Sequence, residues 1–523
     1  MDRRSLAVFA LALGLLLLGN DRLILYSLDE VRNAQCAREM LWRADWVVPT
    51  YNGDLRTHKP PLAYYAMMGS FYLMGETPFA ARFPAAVAGA LVVAVVFGWL
   101  QRVRGTRAGY LGAALLMASV HAQLQLRMSV PDPYLILSVT LAWGAFYRWR
   151  YEGWRWGLVW GYLCAALAIL AKGPIGAWLV GAPVLLVLAL TLPPRDFLRQ
   201  VWRLQPVLGL VGVAAVVAPW VLAVQNATDG VWLREFIGFQ NVTRFSEPLE
   251  GHGGGPLVTL AFVLVGMVPA TAFLPQSLRP AWRLRAHEPL RLFALCGVVV
   301  TVGTFLVAAT RLPNYTTPAY PLLAILVALY VDDVLGGTPA KGWALSAGFA
   351  FLFALAVPLG GYYGLKANPD VAHLAPLALL ALVPAAVVGL ALVLKAPRQR
   401  FLALVAGYTL LAALGLGYLY PRIYAENPVS QSLPKFDSAQ PVVAYQVFNP
   451  AFSFELPRLV PVFGSTDSLA QYLAAQPEAT VLTRSEHKLA LEALGLKVVH
   501  EQRDLFEIST TLVLRWQRPA PTP

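Results

Sequence analysis

The chain has 523 residues, of which 57% are hydrophobic and only 13% charged, with a formal net charge of +12. A soluble domain usually carries about twice that charged fraction, so a water-soluble globule is excluded. The positive charge does not form a basic face with a recognition motif, which excludes a nucleic-acid partner.

The first 25 residues place Arg3 and Arg4 before an apolar run. No small-residue cleavage site follows Leu18, so this segment reads as a retained first span. Further apolar runs of membrane-spanning length recur near 84–101, 109–127, 133–149, 157–171, 174–191, 206–224, 257–277, 292–309, 315–333, 342–360, 373–395 and 401–420. Each is about 17–25 residues long, and together they predict about thirteen transmembrane helices. They are continuously apolar rather than alternating, which excludes a barrel and leaves an all-α polytopic membrane protein. With a cytoplasmic N-terminus, short basic clusters such as Arg102/Arg104/Arg107 and Arg195/Arg199/Arg203 fall in alternate loops, as the positive-inside rule requires. The weak crossing is near residue 333, where Asp332 and Asp333 outnumber Lys341.

That orientation puts the long loop 26–83, the turn at Asp132, the loop 225–256 and everything after about 421 on the outer side. In the first loop, Val31, Ala34, Ala37, Met40, Leu41 and Ala44 recur at helical spacing and predict an amphipathic helix over 30–44 lying along the interface. Pro60-Pro61 opens a second short helix reaching about Met74. After about Tyr424 the spans stop. Strand-like runs near 441–445, 479–482, 497–499 and 511–514 alternate with helical patterns at 466–475 and 486–494. The expected organisation is a membrane domain over 1–423 and a small extracytoplasmic α/β domain over 424–523. Cys36, Cys164 and Cys296 are too scattered for a disulfide framework or a metal pair.

Polar residues beside hydrocarbon have either a partner or a task. Asp29 and Glu30 suit helix capping or, at a membrane-surface cavity, general-base work. Lys59, in His58-Lys59-Pro60-Pro61, is held by the rigid prolines on a first helical turn; its ammonium suits a phosphate, and an interfacial snorkel is the ordinary alternative. Asp132 lies between Pro131 and Pro133, where a helix cap is the ordinary role. Lys172 interrupts two apolar runs. The glycine-rich stretch from Asn241 through Arg244 to His252 reads as a mobile substrate flap, with His252 as a metal ligand or polar contact. Arg311 opens a proline-broken span that includes Tyr315. Carboxylates and the cations Arg32, Lys59, Lys172, Arg244 and Arg311 thus converge on one membrane face. Such a face suits a lipid-linked phosphate whose tail stays in the bilayer while a sugar is transferred outside. A transporter or flippase of lipid-linked sugars is the alternative; it predicts midplane charges and an inverted repeat, and no repeat is visible.

The order of Asp29-Glu30-Val31-Arg32, Asp45-Trp46-Val47-Val48-Pro49, Lys59-Pro60-Pro61-Leu62, Arg82-Phe83-Pro84, Asp132, Lys172-Gly173-Pro174, Asn241-Val242-Thr243-Arg244-Phe245 and Arg311-Leu312-Pro313-Asn314-Tyr315 resembles the GT-C membrane glycosyltransferases. The likeness is to the bacterial aminoarabinose transferase and protein O-mannosyltransferase-like group, over about residues 20–325. The resemblance implies a GT-C fold and a monomer in the inner membrane, with the C-terminal domain periplasmic. It also implies inverting transfer of a sugar from undecaprenyl phosphate to a lipid A, other glycolipid or protein acceptor. Asp29 would be the base, aided by Glu30, and Asp132 a second carboxylate in the cavity. Lys59, Lys172, Arg311, Arg32 and Arg244 would hold the donor phosphate, with Asn241 and Tyr315 in the substrate loop. Two departures stand out: His58 replaces the acidic residue common before the lysine-proline-proline run, and Asn241 replaces a family histidine. A family-type divalent metal (Zn, Mg or Mn) would here need His58 and His252.

Overall fold

The computed structural model describes residues 2–247, 253–505 and 507–516, with the side chains of Val242 and Arg244 excepted. Helices dominate, as they must where backbone polar groups have only hydrocarbon beside them. Among the described residues nine helices are long and apolar enough to cross a membrane. The pair Pro256–Gly266 and Ala270–Arg283, bent by 104°, makes a tenth if it counts as one span.

The expected count of thirteen is therefore not established, and the difference has local causes. The predicted spans near 109–127, 133–149 and 157–171 are all helical. The first is broken at Ser119 into Thr106–Ala118 and Val120–Gln125. The second, Asp132–Tyr151, carries Asp132, Arg148 and Arg150 at its ends. The third, Gly157–Lys172, has only 16 residues. The first two are largely buried among other helices, where tertiary packing replaces the full apolar length that lipid demands.

Near residue 333 the local acidic excess meets cations from other helices. Asp332 pairs with Arg107 at 2.6 Å and with Arg104 at 3.2 Å. Asp333 accepts from the buried Arg291 at 2.5 Å and also pairs with Arg104. The local acidic excess is thus neutralised by three arginines brought from helices remote in sequence.

The loop 26–83 departs from expectation. Its helix spans Leu28–Trp42, and ten residues between Glu30 and Met40 are buried, polar ones included. It is a core element rather than an interfacial one, because the C-terminal region covers its polar side. Arg38 donates to the carbonyls of Phe454 at 2.8 Å and Leu456 at 2.9 Å. Asn52 and Val460 exchange two hydrogen bonds, each 2.9 Å long. The helix after the double proline runs Leu62–Met74, as predicted.

The C-terminal region holds a five-stranded mixed sheet in the order Val462–Phe463, Val442–Tyr445, Thr480–Arg484, Thr510–Trp516, Leu496–Arg503. The first two pairings are parallel and the last two antiparallel. The helix Thr466–Ala475 matches the predicted segment, while the two-residue edge strand at 462 has no sequence signal.

Candidate active site

The site grows from the N-terminus of helix Leu28–Trp42. Asp29, Arg32 and Asn33 lie three and four positions apart, so they share one helical face. That face looks into a cavity of roughly 310 Å³. Lys59 and His58 enter from the turn before the double proline, and Tyr26 from the approach to the helix. The opposite wall is Asp132, at the start of its helix, and Lys172, at the end of the next helix, Gly157–Lys172. Asn314 and Tyr315 close one side and Gln240 another.

The adjacent acids Asp29 and Glu30 have opposite fates. Asp29 is exposed to the cavity, whereas Glu30 is 3% exposed and points into protein. Glu30 forms an ion pair with Arg82 at 2.8 Å and accepts from the Ser129 amide at 2.9 Å. Arg82 also donates to the carbonyls of Leu23 and Ile24. Burial by itself would raise the Glu30 pKa, but Arg82 and Ser129 outweigh it and hold the carboxyl below its ordinary value. A residue so engaged anchors the loop to the bundle. Its setting differs from the catalytic one expected, since it does not line the cavity.

Asp132 is also largely buried, and its carboxylate receives the Lys172 ammonium at 2.6 Å. The same ammonium sits 5.1 Å from the Tyr315 ring centre. Lys172 is thereby fixed, with one charge already matched. Arg311 is not part of the cavity wall. Its guanidinium donates to the carbonyls of Gly254, Ala309 and Leu306, so it ties the glycine-rich stretch to the end of helix Pro289–Val307, while its neighbours Leu312, Asn314 and Tyr315 reach the cavity. Asn241 donates to the Phe236 carbonyl at 2.6 Å, and Gln240 lines the cavity in its place. Only the backbone of Arg244 is described, in the short helix Arg244–Ser246, and His252 lies outside the described residues. Among the described residues no three His, Cys, Asp or Glu side chains gather into a metal-type group.

One wall comes from far along the chain. The turn after strand Leu496–Arg503 brings Leu505 and Glu507 to the cavity. The Leu505 amide donates to the Tyr26 hydroxyl at 3.0 Å, which pins the turn to the first loop. Burial and the nearby Asp504 raise the Glu507 pKa, while Arg484 and Arg32 pull the other way. Tyr26, Asn33, Gln240, Asn314 and Glu507 are cavity residues that sequence reasoning does not single out. Asn33 is detectable as the helical neighbour of Asp29; Glu507 has no local signal.

The arrangement can accept a proton at Asp29 and neutralise an anion at Lys59 and Arg32, in a polar pocket at the ends of membrane helices. This bundle, with its loop helices and terminal sheet, is the GT-C fold. ArnT from Cupriavidus metallidurans, in a crystal structure bound to undecaprenyl phosphate, aligns with a TM-score of 0.80 at 21% identity over 97% of both chains. The archaeal oligosaccharyltransferase AglB from Archaeoglobus fulgidus aligns with a TM-score of 0.53 at 13% identity, covering 94% of this chain and 71% of that one. In sequence, residues 58–222 match the dolichyl-phosphate-mannose-protein mannosyltransferase family model. Two curated relatives are named undecaprenyl phosphate-alpha-4-amino-4-deoxy-L-arabinose arabinosyl transferase. The one from Pectobacterium atrosepticum is 32% identical over 59% of this chain and 56% of its own. The one from Yersinia enterocolitica is 29% identical over 82% of this chain and 78% of its own. The matches to the relatives from Edwardsiella ictaluri and Serratia proteamaculans span 56% and 62% of those proteins, less than two thirds of their length. The chain has the GT-C fold, and its sequence is similar to the aminoarabinose transferases and, over residues 58–222, to the protein mannosyltransferases.

Proposed function

We propose that the protein transfers a sugar from an undecaprenyl-phosphate donor to an acceptor of the bacterial envelope, a lipid A, another glycolipid or a protein. The observation that carries this reading is the pairing of an exposed carboxylate, Asp29, with Lys59 and Arg32 around one cavity. The named relatives act with the same class of donor, which supports it.

In this reading Asp29 takes the proton of the acceptor hydroxyl as its oxygen attacks the anomeric carbon. The bond from that carbon to the phosphate oxygen breaks, and the electron pair leaves with the phosphate. Lys59 and Arg32 neutralise the departing charge, the larger need for such a leaving group. Attack opposite the leaving group inverts the anomeric centre. Lys172, already paired with Asp132, positions the phosphate side of the cavity together with Tyr315. Arg311 acts through the loop it braces, Asn241 and Glu30 support the site from outside the cavity wall, and Arg244 is proposed as a further phosphate ligand. A divalent ion on His58 and His252 is a separate proposal; the donor set fits zinc in kind. Its check is metal analysis of the purified protein, with His58→Ala expected to lower the bound content.

The protein is a multi-pass membrane protein. We place it in the inner membrane with a cytoplasmic N-terminus and a periplasmic terminal sheet, from the distribution of arginine and lysine. Mass spectrometry of envelope lipids and glycoproteins from a deletion strain tests the reaction. Loss of one sugar from one species, restored by the intact gene, is the expected result. An unchanged envelope together with no transfer by the purified protein would overturn the reading.

A further inference from the structure

A second groove lies at the other end of the bundle. From Asp132 at the cavity to Arg148, the helix advances 16 residues, about 24 Å at 1.5 Å per residue. There the helices Arg3–Leu17, Pro78–Arg104, Asp132–Tyr151 and Gly157–Lys172 leave an opening of roughly 740 Å³. Its depth is apolar, with Leu91, Val95, Leu141 and Leu167 among its walls, and its size is that of a site for a small ligand. Its mouth is basic and aromatic.

The charges at that mouth do not balance. Arg102 and Arg148 share a single carboxylate, Glu152, at 3.5 and 3.1 Å. Asp2, the other acid there, is engaged by the Ser5 amide and the Gln101 side chain and has the Arg4 guanidinium nearby to match its charge, so three arginines face two carboxylates. Arg148 is held in place over the Trp154 ring at 4.0 Å. Trp160 lines the same groove and is 50% exposed, the placement of an indole in the headgroup belt. An apolar slot with one uncompensated guanidinium and two indoles at its rim matches an anionic lipid: acyl chain in the slot, phosphate at the arginines.

We propose that this groove binds an anionic glycerophospholipid of the membrane leaflet opposite the catalytic cavity. Charge complementarity at Arg102 and Arg148 selects it over a zwitterionic lipid. The lipid wedges four helices together, and two of these, through Asp132 and Lys172, end at the catalytic cavity.

Native mass spectrometry of the detergent-purified full chain tests this, with phosphatidylglycerol and phosphatidylcholine titrated separately. Phosphatidylglycerol is expected to be retained at a concentration about five-fold lower, the scale of one basic side chain near a lipid surface. The double variant Arg102→Gln/Arg148→Gln should lose that preference. Glu152→Gln, which releases both guanidiniums from their shared carboxylate, should strengthen it. This second variant keeps the test decisive if the first does not fold. Equal retention of both lipids, or a Glu152→Gln protein with weaker preference, overturns the proposal. So does displacement of the lipid by inorganic phosphate, which would make the mouth a plain anion site.

Discussion

Two charged clusters of the bundle handle charge in opposite ways. Around Asp332 and Asp333, Arg104, Arg107, Arg291 and Glu288 join these two acids in a saturated network of ion pairs. At the cavity end, Glu30–Arg82 and Asp132–Lys172 are closed pairs, but Asp29 and Arg32 face open space. Saturated charges hold helices in register and do no chemistry. Charges left facing a cavity keep their capacity for a proton or a phosphate. The contrast is sharpest between residues 29 and 30, which are neighbours in sequence and belong to different classes of site.

The largest test of that contrast is on activity. Asp29→Asn is expected to lower transfer about 10²–10⁴-fold, the usual contribution of a general base, with an unchanged thermal melt. Activity within a few-fold of wild type would remove Asp29 from the role of base. Glu30→Ala is expected to act on folding instead. It leaves Arg82 buried without its partner, a loss of about 3–5 kcal/mol, visible as loss of folded protein in detergent. If Glu30→Ala melted normally but lost activity, the division between the two acids would fail.

Acidity should separate them as well. The Glu30 carboxyl is held below its ordinary value of 4.5, so its stabilisation is complete above that pH. It is lost as pH falls through the depressed folded-state value. A Glu30→Gln protein should show a flatter acid limb in its melting profile, and an identical limb would contradict the assignment. Lys59→Ala is expected to weaken donor binding about ten-fold, the scale of one charge-assisted hydrogen bond, with acceptor binding little changed. Binding of a polyprenyl-phosphate donor to the inactive Asp29→Asn background measures this directly. The smallest effect belongs to the saturated cluster. Arg104→Gln should cost about 1 kcal/mol, because Arg107 and Arg291 still hold Asp332 and Asp333. A much larger loss would show that the network is less redundant than its contacts indicate.

Much of this site is legible in the amino-acid sequence. Topology and family likeness assign Asp29, Lys59, Asp132, Lys172 and Tyr315 to one cavity, and all five line it. Arg32 joins them because it sits one turn from Asp29. What sequence does not separate are groups whose partners lie far along the chain. Glu30 resembles Asp29 in every local respect, and only the approach of Arg82, 52 positions away, sets it apart. Arg311 has the look of a phosphate ligand, yet backbone carbonyls surround its guanidinium. The helix Leu28–Trp42 reads as interfacial because its polar face is real. Only contacts with residues beyond 450 show that this face is covered.

The sequence by itself determined the helical bundle, its side-by-side polar loops and the terminal sheet. These follow from local rules: hydrocarbon forces each backbone to satisfy its own hydrogen bonds, and strand and helix periods are written in neighbouring residues. Tertiary structure alone decided which carboxylate faces the cavity, that Lys172 is matched by Asp132, and that Glu507 arrives from the last sheet to complete the wall. Those choices depend on desolvation and pairing between distant groups, energies that exist only once the chain has brought the partners within a few ångströms.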